Sequence, residues 1–355
     1  MPADLIVLRR EGLYCPPGDF YIDAWRPVDR CVVTHAHADH ARSGSRAYLA
    51  HRDSEGTLRT RLGADIALTT LRYGERIALG DTHISLHPAG HVLGSAQVRV
   101  EHRGEVWVAS GDYKLDDDGT CPPFEPVRCD TFITESTFGL PIYRWPTPAQ
   151  LRADLNAWWL ANAELGRPSV VYAYAFGKAQ RILHGLDAGI GPIVAHGAVE
   201  TLNTVYRAAG VPLPDTLRVQ EGKLDKRALA RALVVAPPSA AGSPWMRRFG
   251  EHSDAFASGW MQVRGARRRR GVDRGFVMSD HADWPSLQRA IAATGAEQVI
   301  VTHGQTATLV RWLQEQGLSA REFATQYGNE DDAAPAPTGD APSADAQAST
   351  PEGAA

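Results

Sequence analysis

The sequence predicts an α/β protein in which one domain is interrupted by a second, inserted domain. Short β-rich runs that end in metal-ligand residues occur near both ends of the chain, at 31–40 and again at 275–303. Between 169 and 261 the sequence instead alternates β-rich runs with helical segments, a pattern typical of a small parallel sheet flanked by helices. The length of 355 residues suits one large domain or two joined domains.

Composition places the chain among ordinary globular proteins. Hydrophobic residues make up 43% of it, and no run of about eighteen apolar residues occurs, so we expect a core and no transmembrane helix. The first ten residues become charged too soon for a signal peptide, and we therefore expect a cytoplasmic protein without a membrane partner. The four cysteines show no C-x-x-C spacing and predict no disulfide framework.

The formal net charge of −4 conceals two regions of opposite sign. The segment 328–355 carries six acidic residues and no Lys or Arg, and its Ala, Pro, Ser and Gly content predicts a disordered acidic tail. Without that tail the formal charge becomes +2, and the most basic run is formed by Arg267, Arg268, Arg269 and Arg270. Clustered arginines favour a polyanion such as nucleic acid, although a solvated loop is equally consistent with them.

The densest group of candidate ligands is T-H-A-H-A-D-H, from Thr34 to His40, directly after the apolar run C-V-V. This order predicts a buried strand whose end brings side chains together. His35 and His37 are two apart, so in extended backbone they project to the same side, and neutral imidazoles bind zinc and similar ions well. Asp39 and His40 add a carboxylate and a third imidazole. Four ligand-type residues so close together favour two neighbouring metals over one.

Single ligand-type residues follow further predicted strands. His91 stands between glycines in A-G-H-V-L-G-S, and Asp112 follows Ser-Gly at a strand end. Loops at a sheet edge are where enzymes place ligands, and a carboxylate such as Asp112 can bridge two cations. Asp23 precedes the histidine group and would orient a ligand from behind, or serve only as a turn residue. Each of these alone is consistent with a satisfied polar residue, but their succession at strand ends favours a metal centre.

The same theme returns near the end of the chain. One predicted strand leads into S-D-H-A-D, which contains His281, and another leads into T-H-G, which contains His303. In the middle region, F-G-K-A-Q joins a predicted strand to a helix. The helix N-terminus and Lys178 form a natural place for a phosphate there, although a plain exposed turn is at least as consistent with this motif.

Together these motifs resemble the metallo-β-lactamase superfamily and, within it, the β-CASP nucleases. The resemblance extends to about Tyr327 and includes F-G-K-A-Q and A-S-G-W, which are similar to turns of the inserted β-CASP domain. It implies a four-layer αββα sandwich built from segments 1–144 and 275–327. A β-CASP domain would be inserted between them at 145–274, and 328–355 would remain as the tail.

The resemblance also implies two divalent metal ions, zinc or else manganese. The implied ligands are His35, His37 and His91 for one ion, Asp39, His40 and His303 for the second, and Asp112 between them, with Asp23 behind. Two such cations polarise a phosphodiester and lower the pKa of a shared water, so that hydroxide attacks phosphorus in line. Asp39 and Asp112 would thus also be catalytic. His281 would be the general acid, and Glu135 would orient its imidazole and favour its protonated form.

A narrower resemblance concerns the bacterial DNA-ligase-associated exonucleases. It rests on G-L-Y-C-P, Y-I-D-A-W-R-P-V-D-R and T-E-S-T-F-G-L-P-I-Y-R-W. It implies an exonuclease that trims single-stranded or overhanging DNA ends in repair, with an ATP-dependent DNA ligase and a helicase as functional partners.

Two alternatives to a DNA exonuclease remain. RNA-cleaving relatives such as RNase J have a histidine at the position of His303, and DNA-directed relatives such as Artemis lack it, so an RNA-processing nuclease is the first alternative. A catalytically silent subunit that only binds nucleic acid is the second. Relatives of that kind lose ligands, whereas every ligand position is filled in this sequence.

Overall fold

The computed structural model of the protein describes residues 4–218 and 225–327. The predicted disordered tail, 328–355, lies outside these described residues. Three β-sheets and eight α-helices make up the described part, which confirms the α/β class predicted from the sequence. Among the described residues, no helix is both long enough and apolar enough to cross a membrane.

The strands form in chain order along the whole described chain. They are β1 (Val7–Leu8), β2 (Leu13–Cys15), β3 (Phe20–Ile22), β4 (Arg30–Val32), β5 (Ala47–His51), β6 (Leu68–Leu71), β7 (Arg76–Leu79), β8 (Thr82–Pro88), β9 (Ala96–His102), β10 (Glu105–Ala109), β11 (Thr131–Ser136), β12 (Ser169–Tyr172), β13 (Ile193–Ala195), β14 (Leu233–Ala236), β15 (Ser253–Ala257), β16 (Arg274–Phe276), β17 (Gln298–Gly304) and β18 (Ser319–Glu322).

The helices occupy the connections between these strands. They are α1 (Glu55–Leu62), α2 (Pro148–Glu164), α3 (Lys178–His184), α4 (Gly197–Ala208), α5 (Lys226–Leu229), α6 (Arg264–Arg270), α7 (Trp284–Thr294) and α8 (Thr306–Glu315). Two of the longer ones begin at clear caps. At the start of α2, Thr147 accepts a hydrogen bond from the N–H of Gln150, and Pro148 occupies the first helical position. At the start of α7, Asp283 accepts a hydrogen bond from the N–H of Ser286.

The first two sheets pack against each other. The first has the order β1-β2-β3-β4-β5-β6 and the second the order β18-β17-β11-β10-β9-β8-β7. Side chains of β10 show how the second sheet is shared, because neighbouring residues on a strand point to opposite faces. Trp107 and Ala109 join the core between the two sheets, whereas Val108 joins the core beneath α7 and α8.

Strand direction explains why ligand-type residues collect at one edge. From β3 to β6 the first sheet is parallel, and so are the pairs of β10 with β11 and of β11 with β17. Parallel neighbours end at the same edge of a sheet. Asp23, the Thr34–His40 segment, Asp112, Glu135 and His303 therefore all start from strand ends that lie near one another.

The third sheet is inserted in the sequence between β11 and β17, two neighbouring strands of the second sheet. Its order is β13-β14-β12-β15-β16, and all its pairs are parallel. Both faces are covered by apolar residues, which explains the uninterrupted V-V runs in β12 and β14. The predicted strand that leads into S-D-H-A-D is observed as β16, which pairs with β15 and crosses the predicted boundary after residue 274. The domain boundaries themselves stay a prediction.

Candidate metal centre

The Thr34–His40 segment leaves β4 and enters the junction of the first two sheets. The N–H of Val33 donates to the carbonyl of Leu49 at 2.8 Å, and the N–H of Ala96 donates to the carbonyl of Thr34 at 2.8 Å. The start of the segment is therefore held between β5 on one side and β9 on the other. Its three histidines are buried, as expected for a strand end that points inward.

Asp23 fixes the orientation of two of these rings. It has a φ of +46° and accepts hydrogen bonds from the N–H of Thr34 at 2.7 Å and from its hydroxyl at 2.6 Å. Its Oδ2 also lies 2.7 Å from Nδ1 of His40. Because a carboxylate only accepts, Nδ1 of His40 carries the hydrogen. The Thr34 hydroxyl, having donated to Asp23, accepts from Nδ1 of His35 at 3.0 Å. Both rings thus keep Nε2 free to bind a metal.

His37 and His91 point their remaining lone pairs at each other. Nδ1 of His91 lies 2.9 Å from the carbonyl oxygen of Asp280, and Nε2 of His37 lies 3.3 Å from that of Phe176. Since carbonyl oxygens only accept, these two nitrogens carry the hydrogens. The nitrogens that face each other, Nδ1 of His37 and Nε2 of His91, are 2.9 Å apart. Two facing lone pairs repel unless a cation lies beside them, which is what a metal ion would supply.

The carboxylate of Asp112 lies at the centre of the group. Its oxygens are 3.3–3.9 Å from a ring nitrogen of His40, His35, His303, His91 and His281. The turn that delivers it requires glycine, because Gly111 has a φ of +57° and a Cβ there would lie 2.6 Å from Oγ1 of Thr34.

A second group of candidate ligands forms on the other side of Asp112. Nε2 of His40 lies 3.5 Å from Oδ2 of Asp39 and 3.3 Å from Oδ2 of Asp112. His303, on β17, places Nε2 3.6 Å from the other Asp112 oxygen and 3.0 Å from the hydroxyl of Thr137. The structure therefore brings together all seven residues that the sequence analysis selected as metal ligands.

The electrostatics of the group match a site that receives cations. Burial and the neighbouring imidazoles hold the pKa of His35 and of His91 well below the usual value, so both rings are neutral at pH 7. Burial also opposes the charged form of His40, but the carboxylates of Asp112 and Asp39 outweigh it and hold the pKa of His40 well above its usual value. Burial acts likewise against ionised Asp112, yet its histidine neighbours keep its pKa well below the usual range.

Several buried nitrogen and oxygen atoms of these candidate ligands have no hydrogen-bond partner, as expected for atoms that bind a metal ion. Buried atoms without a hydrogen-bond partner include His35 Nε2, His40 Nε2, His303 Nδ1, Asp39 Oδ2 and Asp112 Oδ1. Buried polar atoms are normally hydrogen-bonded, so their concentration at this place indicates a site that binds a ligand. Imidazole nitrogen and carboxylate oxygen are donors that divalent zinc and manganese accept. The residues present therefore fit divalent cations, in groups whose ligand atoms lie within 4.8 Å of one another.

His281 lies beside this group with a different partner. Its Nδ1 is 2.9 Å from Oε2 of Glu135 and 3.9 Å from Asp112. The other oxygen of Glu135 accepts the N–H of Tyr113 at 2.8 Å, which fixes the carboxylate plane. Trp145 in turn donates its Nε1–H to the carbonyl of His281 at 2.9 Å. The imidazole is thus held at the edge of the metal centre by a buried carboxylate.

Comparisons with known proteins follow the same direction. The chain is 32% identical over 324 residues to a probable DNA ligase of Opitutus terrae. The matched region covers 90% of this chain and 31% of that protein. It is 27% identical over 181 residues to an RNase J-like protein of Methanocaldococcus jannaschii, covering 44% of this chain and 43% of that one. It is 33% identical over 131 residues to the endoribonuclease ysh1 of Aspergillus fumigatus, covering 34% of this chain and 15% of that one.

The relatives of this chain include members of the β-CASP nucleases, among them the RNase J-like protein and the endoribonuclease, in agreement with the resemblance seen in the sequence. The chain spans about a third of the length of the probable DNA ligase and less than half of the RNase J-like protein. No family model matches it. A crystal structure of a protein of unknown function from Enterococcus faecalis V583 shares the fold, with a TM-score of 0.56 at 12% identity over 84% of this chain and 80% of that one.

Two candidate nucleic-acid-binding features predicted from the sequence, Lys178 and the arginine run, lie outside the ligand group. Lys178 is buried, with its ammonium 4.6 Å from the centre of the Tyr174 ring, so the alternative of an exposed turn is wrong and phosphate binding by Lys178 stays a prediction. The arginine run forms α6, in which Arg267 donates from Nε to the carbonyl of Met261. All four arginines from Arg267 to Arg270 are exposed, so the run is solvated but forms a helix and not a loop. Nucleic-acid binding by these arginines stays a prediction.

Three residues at the candidate metal centre were missed by sequence reasoning. The ring of Tyr327 stacks on His40, with 4.4 Å between the ring centres. The backbone carbonyl of Asp280 orients His91, as described above, and Arg181 binds the side chain of Asp280. Asp280 lies within the motif S-D-H-A-D, but a carbonyl contact has no sequence signal. Arg181 and Tyr327 carry no signal in a single sequence.

Proposed function

We propose that this protein is a metal-dependent exonuclease that hydrolyses DNA phosphodiesters. The observation that carries the proposal is the contact between His281 and Glu135 at 2.9 Å, directly beside the candidate ligands. A lactamase or thioesterase site needs only the metal ligands, whereas a phosphodiester also needs a proton for the departing sugar oxygen. An imidazole held by a buried carboxylate is suited to supply it.

Two cations are proposed, most simply zinc, with manganese as the alternative. His35, His37 and His91 would hold one ion, Asp39, His40 and His303 would hold the other, and Asp112 would contact both. When bound, a pair of divalent cations polarises a phosphodiester and makes water a competent nucleophile near neutral pH. Asp23 would keep His35 and His40 in the ligand tautomer through the hydrogen bonds described above.

The side chains around the reacting phosphate would divide the remaining work. His281 would donate a proton from Nε2 to the leaving oxygen, since Nδ1 is engaged by Glu135. Glu135 would favour the imidazolium form that can donate. Asp112, whose oxygens face five imidazoles, would keep the ligands of the first ion and the ligands of the second ion at a fixed distance from each other.

The names of the relatives support DNA and RNA as substrates to different degrees. The similarity to a probable DNA ligase covers 90% of this chain, which favours DNA and a place in end processing beside a DNA ligase. The ATP dependence of that ligase and a helicase as a further functional partner rest on the family resemblance alone. The RNase J-like protein and the endoribonuclease match shorter parts, 44% and 34% of this chain. Their names favour the second candidate, an RNA-processing nuclease with the same site.

The proposal extends to the architecture. The two packed sheets with their covering helices would form the four-layer αββα sandwich, from 1–144 and 275–327. The third sheet and its helices, 145–274, would form the inserted β-CASP domain. Helices α7 and α8 on the second sheet and Leu58 of α1 in the cluster of the first sheet support this order of layers.

Cleavage of matched DNA and RNA tests the function. The purified protein is stripped with a chelator, reloaded with zinc or manganese, analysed for bound metal and incubated with end-labelled single strands of one sequence in both chemistries. We expect two metal ions per chain, no cleavage by the stripped protein, and faster release of mononucleotides from DNA than from RNA.

A histidine pair supplies the control. His281→Gln should lose cleavage, whereas His83→Gln, at an exposed histidine on β8, should retain it. Equal or faster turnover of RNA would replace DNA by the second candidate. A metal-loaded protein that cleaves neither strand would overturn the proposal as a whole.

A further inference from the structure

Arg181 carries a buried positive charge, and it is neither a candidate metal ligand nor the proposed general acid. It lies in α3, between β12 and β13 of the third sheet, and its side chain is only 2% exposed. Burying a guanidinium is unfavourable unless its donors are paired. The residues with which it pairs therefore indicate what it is for.

The guanidinium of Arg181 pairs with segments at the metal centre or next to it. Nη1 donates to Oδ1 of Asp280 at 2.6 Å, and Nη2 donates to the carbonyls of Gly90 at 3.0 Å and of His91 at 2.5 Å. Nε contacts the carboxylate of Asp118. One planar group thus binds three separate segments of the chain at once.

Two of these segments carry residues of the proposed reaction. Arg181 binds the backbone of His91 directly, and it binds the side chain of Asp280, whose carbonyl accepts the hydrogen bond from the His91 ring. Asp280 is followed immediately by His281. The rings of His91 and His281 are 4.8 Å apart, so a small shift of either segment changes their relation.

The start of α3 shows a second adaptation to this contact. Gly177 has a φ of +88°, and a Cβ at this position would lie 3.0 Å from Oδ2 of Asp280 and 2.6 Å from the side chain of Val92. Glycine is therefore required for the helix to approach Asp280 so closely. The approach is built into the chain at two places, Gly177 and Arg181.

We propose that Arg181 is a positioning residue through which the segment carrying α3 sets the geometry of His91 and His281, so that the metal centre is complete only when that segment is docked. The proposal rests on the proposed function for the roles of those two histidines. Arginine is required because its donors fan out in one plane toward acceptors in several directions, whereas lysine offers one compact ammonium group.

Graded substitutions of Arg181 test this role. Arg181→Lys keeps the buried positive charge beside Asp118 and Asp280 but loses the fork, and Arg181→Met loses both. Displacement of about 1 Å at a reacting group can lower a rate by about 10²-fold. We expect kcat to fall about tenfold or more in Arg181→Lys and about 10²-fold in Arg181→Met, with KM for a short oligonucleotide changed much less.

Metal affinity provides a readout that does not depend on activity. Competition with a chromophoric zinc chelator should show weaker binding of the ion held by His91 in both variants, by about 10-fold to 100-fold as for other residues that orient ligands. The matched control is Arg231→Met, which removes an arginine that donates to the carbonyl of Ile190 within the third-sheet region. It should leave kcat and zinc affinity unchanged.

The outcomes separate this proposal from the proposed function. If the wild-type protein binds zinc but cleaves no nucleic acid, the chelator competition still decides the role of Arg181. If Arg181→Met fails to fold, Arg181→Lys decides alone, because it leaves no buried carboxylate without a positive neighbour. Wild-type kcat and wild-type zinc affinity in Arg181→Lys would overturn the proposal.

Discussion

The metal centre and the arginine helix α6 are the two regions that the sequence selects for function, and they are built in opposite ways. In the metal centre each candidate ligand is buried or nearly so, and most of the imidazoles have one nitrogen held by a defined acceptor. In α6 the side chains from Arg267 to Arg270 are exposed. A function of the first region would depend on the relative positions of its side chains, whereas any function of the second would depend on the charges that it exposes.

This difference sets the size of the expected effects. Interactions between buried charges are only weakly screened, so one substitution in the metal centre disturbs several neighbours. Exposed charges act almost independently in water and salt. Substitutions in the metal centre should therefore change the reaction by orders of magnitude, and substitutions in α6 should change binding by small factors.

The largest effect is expected at Asp112. Asp112→Asn keeps the shape of the side chain but removes the charge that faces five imidazoles, and cleavage of single-stranded DNA should fall by at least about 10³-fold. Binding of the same oligonucleotide, measured by fluorescence anisotropy, should change only a few-fold. Asp81→Asn, at an exposed aspartate, serves as the control. Cleavage that survives in Asp112→Asn would show that the carboxylate does not connect the two ligand groups.

The next effect is expected at the proposed general acid. His281→Gln should lower cleavage of DNA by about 10²- to 10⁴-fold, and Glu135→Gln by less, because the imidazole remains. A nitrophenyl phosphodiester provides the comparison, since its leaving group departs without a proton. We expect the loss in His281→Gln to shrink strongly on that substrate. An equal loss on both substrates would assign His281 a structural role instead.

A third effect is expected at Asp23, which orients the candidate ligand His40 through a hydrogen bond. Asp23→Asn replaces one carboxylate oxygen by an N–H₂ group that cannot accept, so in either orientation of the amide a hydrogen of Thr34 or of His40 loses its acceptor. The ring of His40 is then held less firmly, and zinc affinity should fall by about 10- to 100-fold. Chelator competition measures this directly. Cleavage should recover when zinc is in excess, and failure to recover would indicate that the fold rather than the affinity was damaged.

Some of these residues could be predicted from the local sequence alone, and others could not, for physical reasons. The Thr34–His40 segment was predictable because four ligand-type residues lie within six consecutive positions after a predicted β-strand. His281 and His303 were assigned their roles only with the help of the family resemblance, since nothing local shows that strands far along the chain return to the same sheet edge. The placement of His303 depends on the parallel pairing of β17 with β11. His281 instead follows β16 of the third sheet and contacts Glu135 of β11.

The supporting residues could not be predicted for a different reason. The carbonyl of Asp280 orients His91 through its backbone, which any residue type possesses. Arg181 lies in a short helix, and its role appears only when three segments meet. For α6 the sequence predicted the charge but not the helix, in which four consecutive arginines are good helix formers and Gly271, with a φ of +62°, ends the last turn.

The smallest effect, and the one that tests the other side of the comparison, is expected in α6. Reversing two exposed charges, in Arg268→Glu with Arg269→Glu, should weaken binding of single-stranded DNA a few-fold at low salt. The slope of log affinity against log salt should decrease by about one for each phosphate that the protein no longer neutralises, because fewer counterions are released. The rate at saturating DNA should not change, since the reacting groups are untouched.

A matched reversal separates a local contact from a general charge effect. Lys226→Glu with Arg227→Glu changes the net charge equally at the exposed start of α5. If α6 contacts the strand, only the α6 variant should show a weaker salt dependence. If both variants behave alike, the strand senses total charge and α6 is not a binding surface. If neither changes, the arginine run has no part in nucleic-acid binding, and the contrast between the two regions would lie in whether they function at all.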